Sequence, residues 1–384
     1  MMTSVALVAS SFLPRFGGVE EHILNVAQRL RDRDHRVTVW SVDQGDTAVP
    51  ESVDGIPVRY LPCPLPARQL VAAARAAAAL PKAATAWLGA YRRDRPEVIH
   101  VQCYGPNGVY ATVLARLLRT PLVVSTHGET MADAHGAFQT SALLRASLRR
   151  ALPRAAAITA VSRFAADDLV RSFGMPPGAT HIVPNGVDLT EPSAPRPTWL
   201  PDRYVLGVGR MVHNKGFDLL IDGFARLDRD DLSLVIGGEG PERTALHQQA
   251  ARLGIGDRVL LPGRLTREEV VTTMAGAAVT VMPSRVEAFG IVALEAWRAG
   301  SPVVATVHGG PPEFIEDGVT GLLVDPEDPS ALATALRRIV DDASFASAIA
   351  GAGRRQVASY TWAEVARRYE LLYPSSARGE TSPR

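Results

Sequence analysis

Cysteine is scarce. The 384-residue chain has two, Cys63 and Cys103, in no metal-type or redox-type spacing. That excludes a disulfide framework and a cysteine-built zinc site, and it suits a reducing compartment, so a cytoplasmic location is expected. A surplus of either charge is also missing. The 41 Lys and Arg side chains are balanced by 40 Asp and Glu, whereas a nucleic-acid binder usually carries a clear basic excess, so no nucleic-acid partner is expected. No uninterrupted apolar run reaches the ~18 residues of a membrane span. The chain begins Met-Met-Thr-Ser and a short apolar run over residues 5–9, without the basic stretch and long apolar core of a secretory leader. The alanine-rich stretch 67–91 is interrupted by Arg68, Arg75, Pro81 and Lys82 and reads as helix, not membrane.

What is present is a rhythm. Short aliphatic runs at 5–9, 37–40, 98–101 and 122–125 have strand length and no polar alternation, as strands buried on both faces of a parallel sheet do. Helical patterns lie between them, at 20–32 and 110–118. The rhythm restarts with strand candidates at 204–208, 232–236, 259–261, 279–282 and 302–305, and helices at 216–227, 242–253 and 267–275. Such alternation predicts right-handed βαβ units, here in two Rossmann-like domains. Residues 1–190 form the first and 203–360 the second, with a linker at 191–202 that contains Pro192, Pro195, Pro197 and Pro201. A last helix, 361–373, presents Trp362, Val365, Tyr369 and Leu372 near one face, and 374–384 reads as a disordered tail.

Three strings carry chemistry. Phe16-Gly17-Gly18-Val19-Glu20 follows a strand and opens a helix, where free amides attract phosphate. It is not a GxGxxG dinucleotide fingerprint, and by itself an ordinary βα turn fits equally well. Gly207-Val208-Gly209-Arg210 leads to Lys215-Gly216. This puts an arginine fork and a lysine point charge at the carboxyl end of a strand, a pairing suited to a diphosphate. The third string runs from Pro283 to Glu295, with Glu287 in the loop, Phe289 and Gly290 at a helix start, and Glu295 inside the helix. A loop carboxylate can accept bonds from sugar hydroxyls, a deeper one can hold both hydroxyls of a ribose, and the amides near Gly290 add anion donors. His127, in Ser-Thr-His-Gly at a strand end, can reach a ligand, while His100 reads as structural.

Together these strings resemble the retaining nucleotide-sugar glycosyltransferases of GT-B architecture, the group that includes sucrose synthases, bacterial mannosyltransferases and natural-product glycosyltransferases. The likeness runs from Phe12 to about Tyr373, and its diagnostic element is Glu-x7-Glu, here Glu287 to Glu295. The resemblance implies an α/β fold with two parallel sheets facing across a cleft. It implies that Gly17 and Gly18 face the donor phosphates, that Arg210 and Lys215 bind the diphosphate, and that Glu287 contacts the transferred sugar beside the amides of Phe289 and Gly290. It assigns Glu295 to the ribose, Arg264 and Leu265 to the vicinity of the base, and His127 to the sugar near the acceptor. Catalytic work falls to His127 and Glu287.

No metal and no cofactor are assigned; the nucleotide sugar, with uridine or guanosine, is a co-substrate. The implied chemistry retains anomeric configuration through a front-face path, with the leaving phosphate as base. A small-molecule acceptor is expected, such as a cyclitol, aminocyclitol or thiol of secondary metabolism. The alternative is a membrane-associated enzyme acting on glycolipid or polysaccharide, for which Arg145, Arg149, Arg150 and Arg154 with Leu143, Leu144, Leu148 and Leu152 offer a docking helix. A helix packed on its own domain is the reading preferred for that stretch. A non-catalytic sugar-binding module is disfavoured, because Arg210, Lys215 and Glu287 are all present. The sequence assigns no oligomeric state.

Overall fold

The structure, a computed structural model, describes residues 2–14, 17–45, 49–66, 70–132 and 136–374. The tail expected from residue 374 lies outside them apart from Pro374, as does Phe16. The chain divides into two compact units, Met1–Pro184 with Trp362–Arg384, and Asn185–Thr361.

The first unit holds an eight-stranded sheet of β1 (Ser4–Ala9), β2 (Arg36–Val42), β3 (Ser52–Val53), β4 (Ile56–Leu61), β5 (Val98–Gln102), β6 (Leu122–Thr126), β7 (Ala157–Ala160) and β8 (His181–Ile182), in the order β3-β4-β2-β1-β5-β6-β7-β8. All pairs are parallel except the hairpin β3–β4. β1 and β5 are buried along their whole length, which explains why their sequences show no polar alternation. The strand order reverses beside β1. Loops leaving its carboxyl end and that of β5 therefore diverge to opposite faces and leave room for a ligand.

The second unit has a six-stranded, all-parallel sheet of β9 (Tyr204–Val208), β10 (Ser233–Gly237), β11 (Val259–Gly263), β12 (Val279–Met282), β13 (Val303–Thr306) and β14 (Leu322–Val324). Its order, β11-β10-β9-β12-β13-β14, is that of a dinucleotide-binding sheet, with the switch point between β9 and β12. Helices Phe217–Ala225 and Pro329–Asp341 close its core around Phe217, Leu220, Phe224, Leu332 and Leu336.

Two expectations are adjusted. The crossing between units falls at Pro184, ahead of the proline-rich stretch. Residues 191–202 instead belong to the second unit: Ala194 exchanges backbone and side-chain bonds with Glu268 and Thr272, and Glu191 bonds Arg267. Proline makes a segment stiff without deciding which body it lies on. The helix 361–373 is shorter, Trp362–Glu370, and lies on helix Gly18–Arg31 of the first unit, where Trp362 and Tyr369 set their rings edge-on against His22.

Candidate active site

The β9 and β12 strings meet because they leave adjacent strands on either side of the switch point. After β9 the chain makes a helical turn, His213–Lys215, closed by Gly216 at φ 66°. A side chain at Gly216 would run into the Pro283 carbonyl, so glycine permits the two loops to touch backbone to backbone. The contact is sewn by side chains. Asn214 Nδ2 donates to the Val286 carbonyl at 2.9 Å, and the Arg285 amide donates to the Asn214 carbonyl at 2.9 Å. The Arg285 guanidinium grips Asp218 at 2.9 and 2.6 Å and the His213 carbonyl at 2.7 Å.

This seam brings Lys215 Nζ to 2.6 Å from Glu287 Oε2, which also accepts from Ser284 Oγ at 3.0 Å. Glu287 is fixed from its far side too. Its amide donates to the His308 carbonyl at 3.0 Å, and its carbonyl accepts from the Gly310 amide at 2.8 Å. Arg210 is exposed, and its guanidinium has no partner among the described residues. Gly290 caps helix Ile291–Ala299 at φ 105°. Among the described residues the amides of Phe289 and Gly290 donate to no acceptor, so the helix start keeps donors for an anion. Phe289 itself is buried and stacked on Phe314, ring centroids 4.7 Å apart. Its side chain anchors the turn, and only its amide is available to a ligand. Glu295 is half-buried within the same helix. Arg264 is exposed after β11, and Leu265 packs on Gly237.

In the first unit, Gly17 caps helix Gly18–Arg31 in an extended conformation. The carboxylate of Glu20 folds back over it and accepts from Ser11, so that helix end already holds a negative charge. His127 follows β6, and its Nε2 lies 2.7 Å from Gln102 Oε1. Gln102 Nε2 reaches His100 Nε2 at 3.2 Å; His100 in turn meets Ser125 Oγ at 2.7 Å and Tyr373 OH at 2.9 Å. Burial, then the neighbouring His22, lowers the His100 pKa to about 3. Burial, with His22 and His100 close by, holds His127 well below the usual histidine range. The His127 imidazole is thus neutral, and its partner is a neutral amide.

Sequence reasoning passed over three residues here. Ser284 orients Glu287. Glu129 accepts from the His127 amide at 2.7 Å, the Thr126 hydroxyl at 3.0 Å and the Tyr104 amide at 2.8 Å, and so ties the loops after β5 and β6 together. Gln102 sets the His127 ring. Glu129, two residues beyond His127, was the one with a readable signal. Among the described residues no group of three His, Cys, Asp or Glu side chains is placed to hold a metal ion, and no helix is long and apolar enough to cross a membrane.

Known proteins share this arrangement of sheets and loops. Residues 16–191 match the family model "Glycosyltransferase Family 4" and residues 195–356 match "Glycosyl transferases group 1". A GDP-mannose-dependent alpha-(1-6)-phosphatidylinositol monomannoside mannosyltransferase of Mycolicibacterium smegmatis is 31% identical over 91% of this chain and 92% of its own. This chain belongs to the GT-B glycosyltransferases. Another relative of this glycosyltransferase, the D-inositol 3-phosphate glycosyltransferase 1 of Catenulispora acidiphila, is 29% identical over 94% of this chain and 92% of its own. Among solved structures, the sucrose-phosphate synthase of Thermosynechococcus elongatus superposes with a TM-score of 0.80 at 24% identity, covering 96% of this chain and 98% of that one. At that identity the likeness speaks for the fold alone.

Proposed function

We propose that this glycosyltransferase moves a hexosyl group from a UDP- or GDP-sugar to a small polyol acceptor, with retention and without a metal. The carrying observation is the pairing of Lys215 with Glu287 at 2.6 Å at the switch point of the second sheet, with Arg210 exposed in the same loop and without a partner among the described residues. In this reading the lysine exchanges its carboxylate partner for the donor diphosphate. Glu287, released from the ion pair, accepts bonds from the sugar hydroxyls. Arg210, Lys215 and the amides of Phe289 and Gly290 then stabilise the charge that grows on the leaving diphosphate. The leaving phosphate takes the acceptor's proton on the face it departs from, which gives retention. His127, neutral, donates or accepts a hydrogen bond to the sugar and carries no charge into the step.

A polyol acceptor is favoured by the name of the inositol-phosphate relative. The test is calorimetric titration with UDP and GDP, with and without EDTA. One nucleotide is expected to bind, unaffected by EDTA, and Lys215→Ala is expected to weaken it ~10- to 100-fold, the worth of one charged hydrogen bond to phosphate. Equal affinity in the variant would remove the clamp.

A second reading, transfer to an acceptor in an anionic membrane, is favoured by one surface. Helices Pro106–Leu118 and Ala142–Ala151 are joined through Tyr104, whose hydroxyl meets Thr112 and Ser147. The leucines that suggested a docking helix are mostly core: Leu144, Leu148 and Leu152 are buried. Val113, Leu117 and Leu143 are exposed instead, and Arg145, Arg149, Arg150 and Arg154 bond only to carbonyls.

A further inference from the structure

Behind Glu295 the second unit buries an ion network. Arg298, one turn further along helix Ile291–Ala299, is 6% exposed at its side chain, and its Nη1 lies 2.6 Å from Oε2 of Glu191, itself 7% exposed. The same nitrogen donates to the Asp188 carbonyl at 3.2 Å. Glu191 Oε1 accepts from Arg267 Nε at 2.8 Å. Arg298 Nε and Nη2 are buried with no hydrogen-bond partner among the described residues. Buried guanidinium donors left open are costly and call for an explanation.

The geometry of a helix supplies one. A long side chain in a helix leans back over the preceding turn, towards the residue three or four positions earlier. For Arg298 that residue is Glu295, which is half-buried and whose carboxylate makes no hydrogen bond or ion pair with Arg298 or any other described residue. The formal charges of Arg267, Arg298, Glu191 and Glu295 cancel only when Glu295 is ionised. An uncompensated charge is unfavourable where the groups are buried, as Arg298 and Glu191 are, while Arg267 is 35% exposed.

We propose that Arg298, anchored on Glu191, is a positioning residue whose charge opposes burial and favours the ionised form of Glu295, so that Glu295 accepts both hydroxyls of the donor's ribose. This rests on the reading of Glu295 as the ribose carboxylate. An ionised carboxylate is acceptor-only and takes two hydroxyl donors at once; a protonated one gives up an acceptor site.

The groups around Glu295 oppose one another. Its pKa is raised overall: burial raises it most, Arg298 lowers it, Glu191 raises it and Arg267 lowers it. The neighbouring strands β12 and β13 carry no charged residue, and helix Ala343–Gln356 turns Arg354 towards Gly300, past the end of this helix. Helix Arg267–Gly276, packed on the same helix, also carries Glu268 and Glu269, but the charges acting on Glu295 are those of Arg298, Glu191 and Arg267, so the pH response belongs to these four side chains.

The test is calorimetric titration with the diphosphate that binds (UDP or GDP) and with its 2′-deoxy form, from pH 5.5 to 8.5. The ratio of the two affinities is read at each pH, so that protonation of the phosphate itself cancels. The wild type is expected to prefer the ribonucleotide about tenfold or more, and Glu295→Gln to lose most of that preference. In Arg298→Met the ratio should fall at higher pH than in the wild type, by up to ~tenfold per unit. Arg298→Lys should stay near the wild-type profile. Glu191→Gln should move the profile the opposite way, to lower pH. General damage to the fold would shift both variants in the same direction. If Arg298→Met fails to fold, the sign of the Glu191→Gln shift still decides. An Arg298→Met profile that overlays the wild type, or a Glu191→Gln shift to higher pH, overturns the positioning role while leaving Glu295 on the ribose. A wild type indifferent to the 2′-hydroxyl removes the ribose reading, and the proposal falls with it.

Discussion

Acid should unfold the N-terminal unit early, and the size of the effect follows from its buried imidazoles. An unfolded histidine titrates near 6.5, whereas burial takes His100 down to about 3. Between those values the unfolded chain holds the proton and the folded one does not. The contribution of His100 to stability is thus complete above pH 6.5 and is lost as the pH falls towards 3. From pH 7.5 to 5.5 the loss is about 1.4 kcal/mol. His127, held well below the usual range mainly by burial, moves in the same direction. The His100 loss alone corresponds to roughly 3–6 °C in the melting transition of a domain this size. Differential scanning calorimetry at the two pH values measures it. His100→Asn removes one imidazole and should clearly reduce the pH dependence. Coincident transitions at pH 5.5 and 7.5, or an unchanged dependence in His100→Asn, would refute the assignment of neutral, buried imidazoles.

The arginine-rich face predicts salt-sensitive co-sedimentation with phosphatidylglycerol vesicles but not with phosphatidylcholine. Arg149→Glu with Leu143→Asp should weaken it ~10-fold or more, because each basic residue near an anionic surface is worth about 1 kcal/mol. Absence of binding to either vesicle would leave the small-acceptor reading alone. Gly309→Ala should lower the melting temperature and weaken nucleotide binding together. Gly309 has φ 121°, and a Cβ there would collide with the Glu287 backbone, a strain of about 1–3 kcal/mol applied directly to the sugar-binding loop. Wild-type melting and affinity in that variant would show that the loop contact is dispensable.

The periodicity of the chain was enough to read two parallel sheets, because a strand buried on both faces has no polar alternation to hide its length; β1, β5, β9 and β12 are all of this kind. Short edge strands such as β8 and β14 were not legible. Two or three residues carry too little pattern, and pairing with a neighbour decides them. The same divide runs through the candidate site. Arg210, Lys215, Glu287 and Glu295 could be picked from local strings, since loop and helix-start chemistry is written in consecutive residues. That Lys215 meets Glu287, 72 positions apart, was decided by the strand order that sets β12 beside β9. That Glu191 lies under Arg298 rather than in a free linker was decided by packing, because a buried guanidinium requires a carboxylate and the sequence does not say which one folding will deliver.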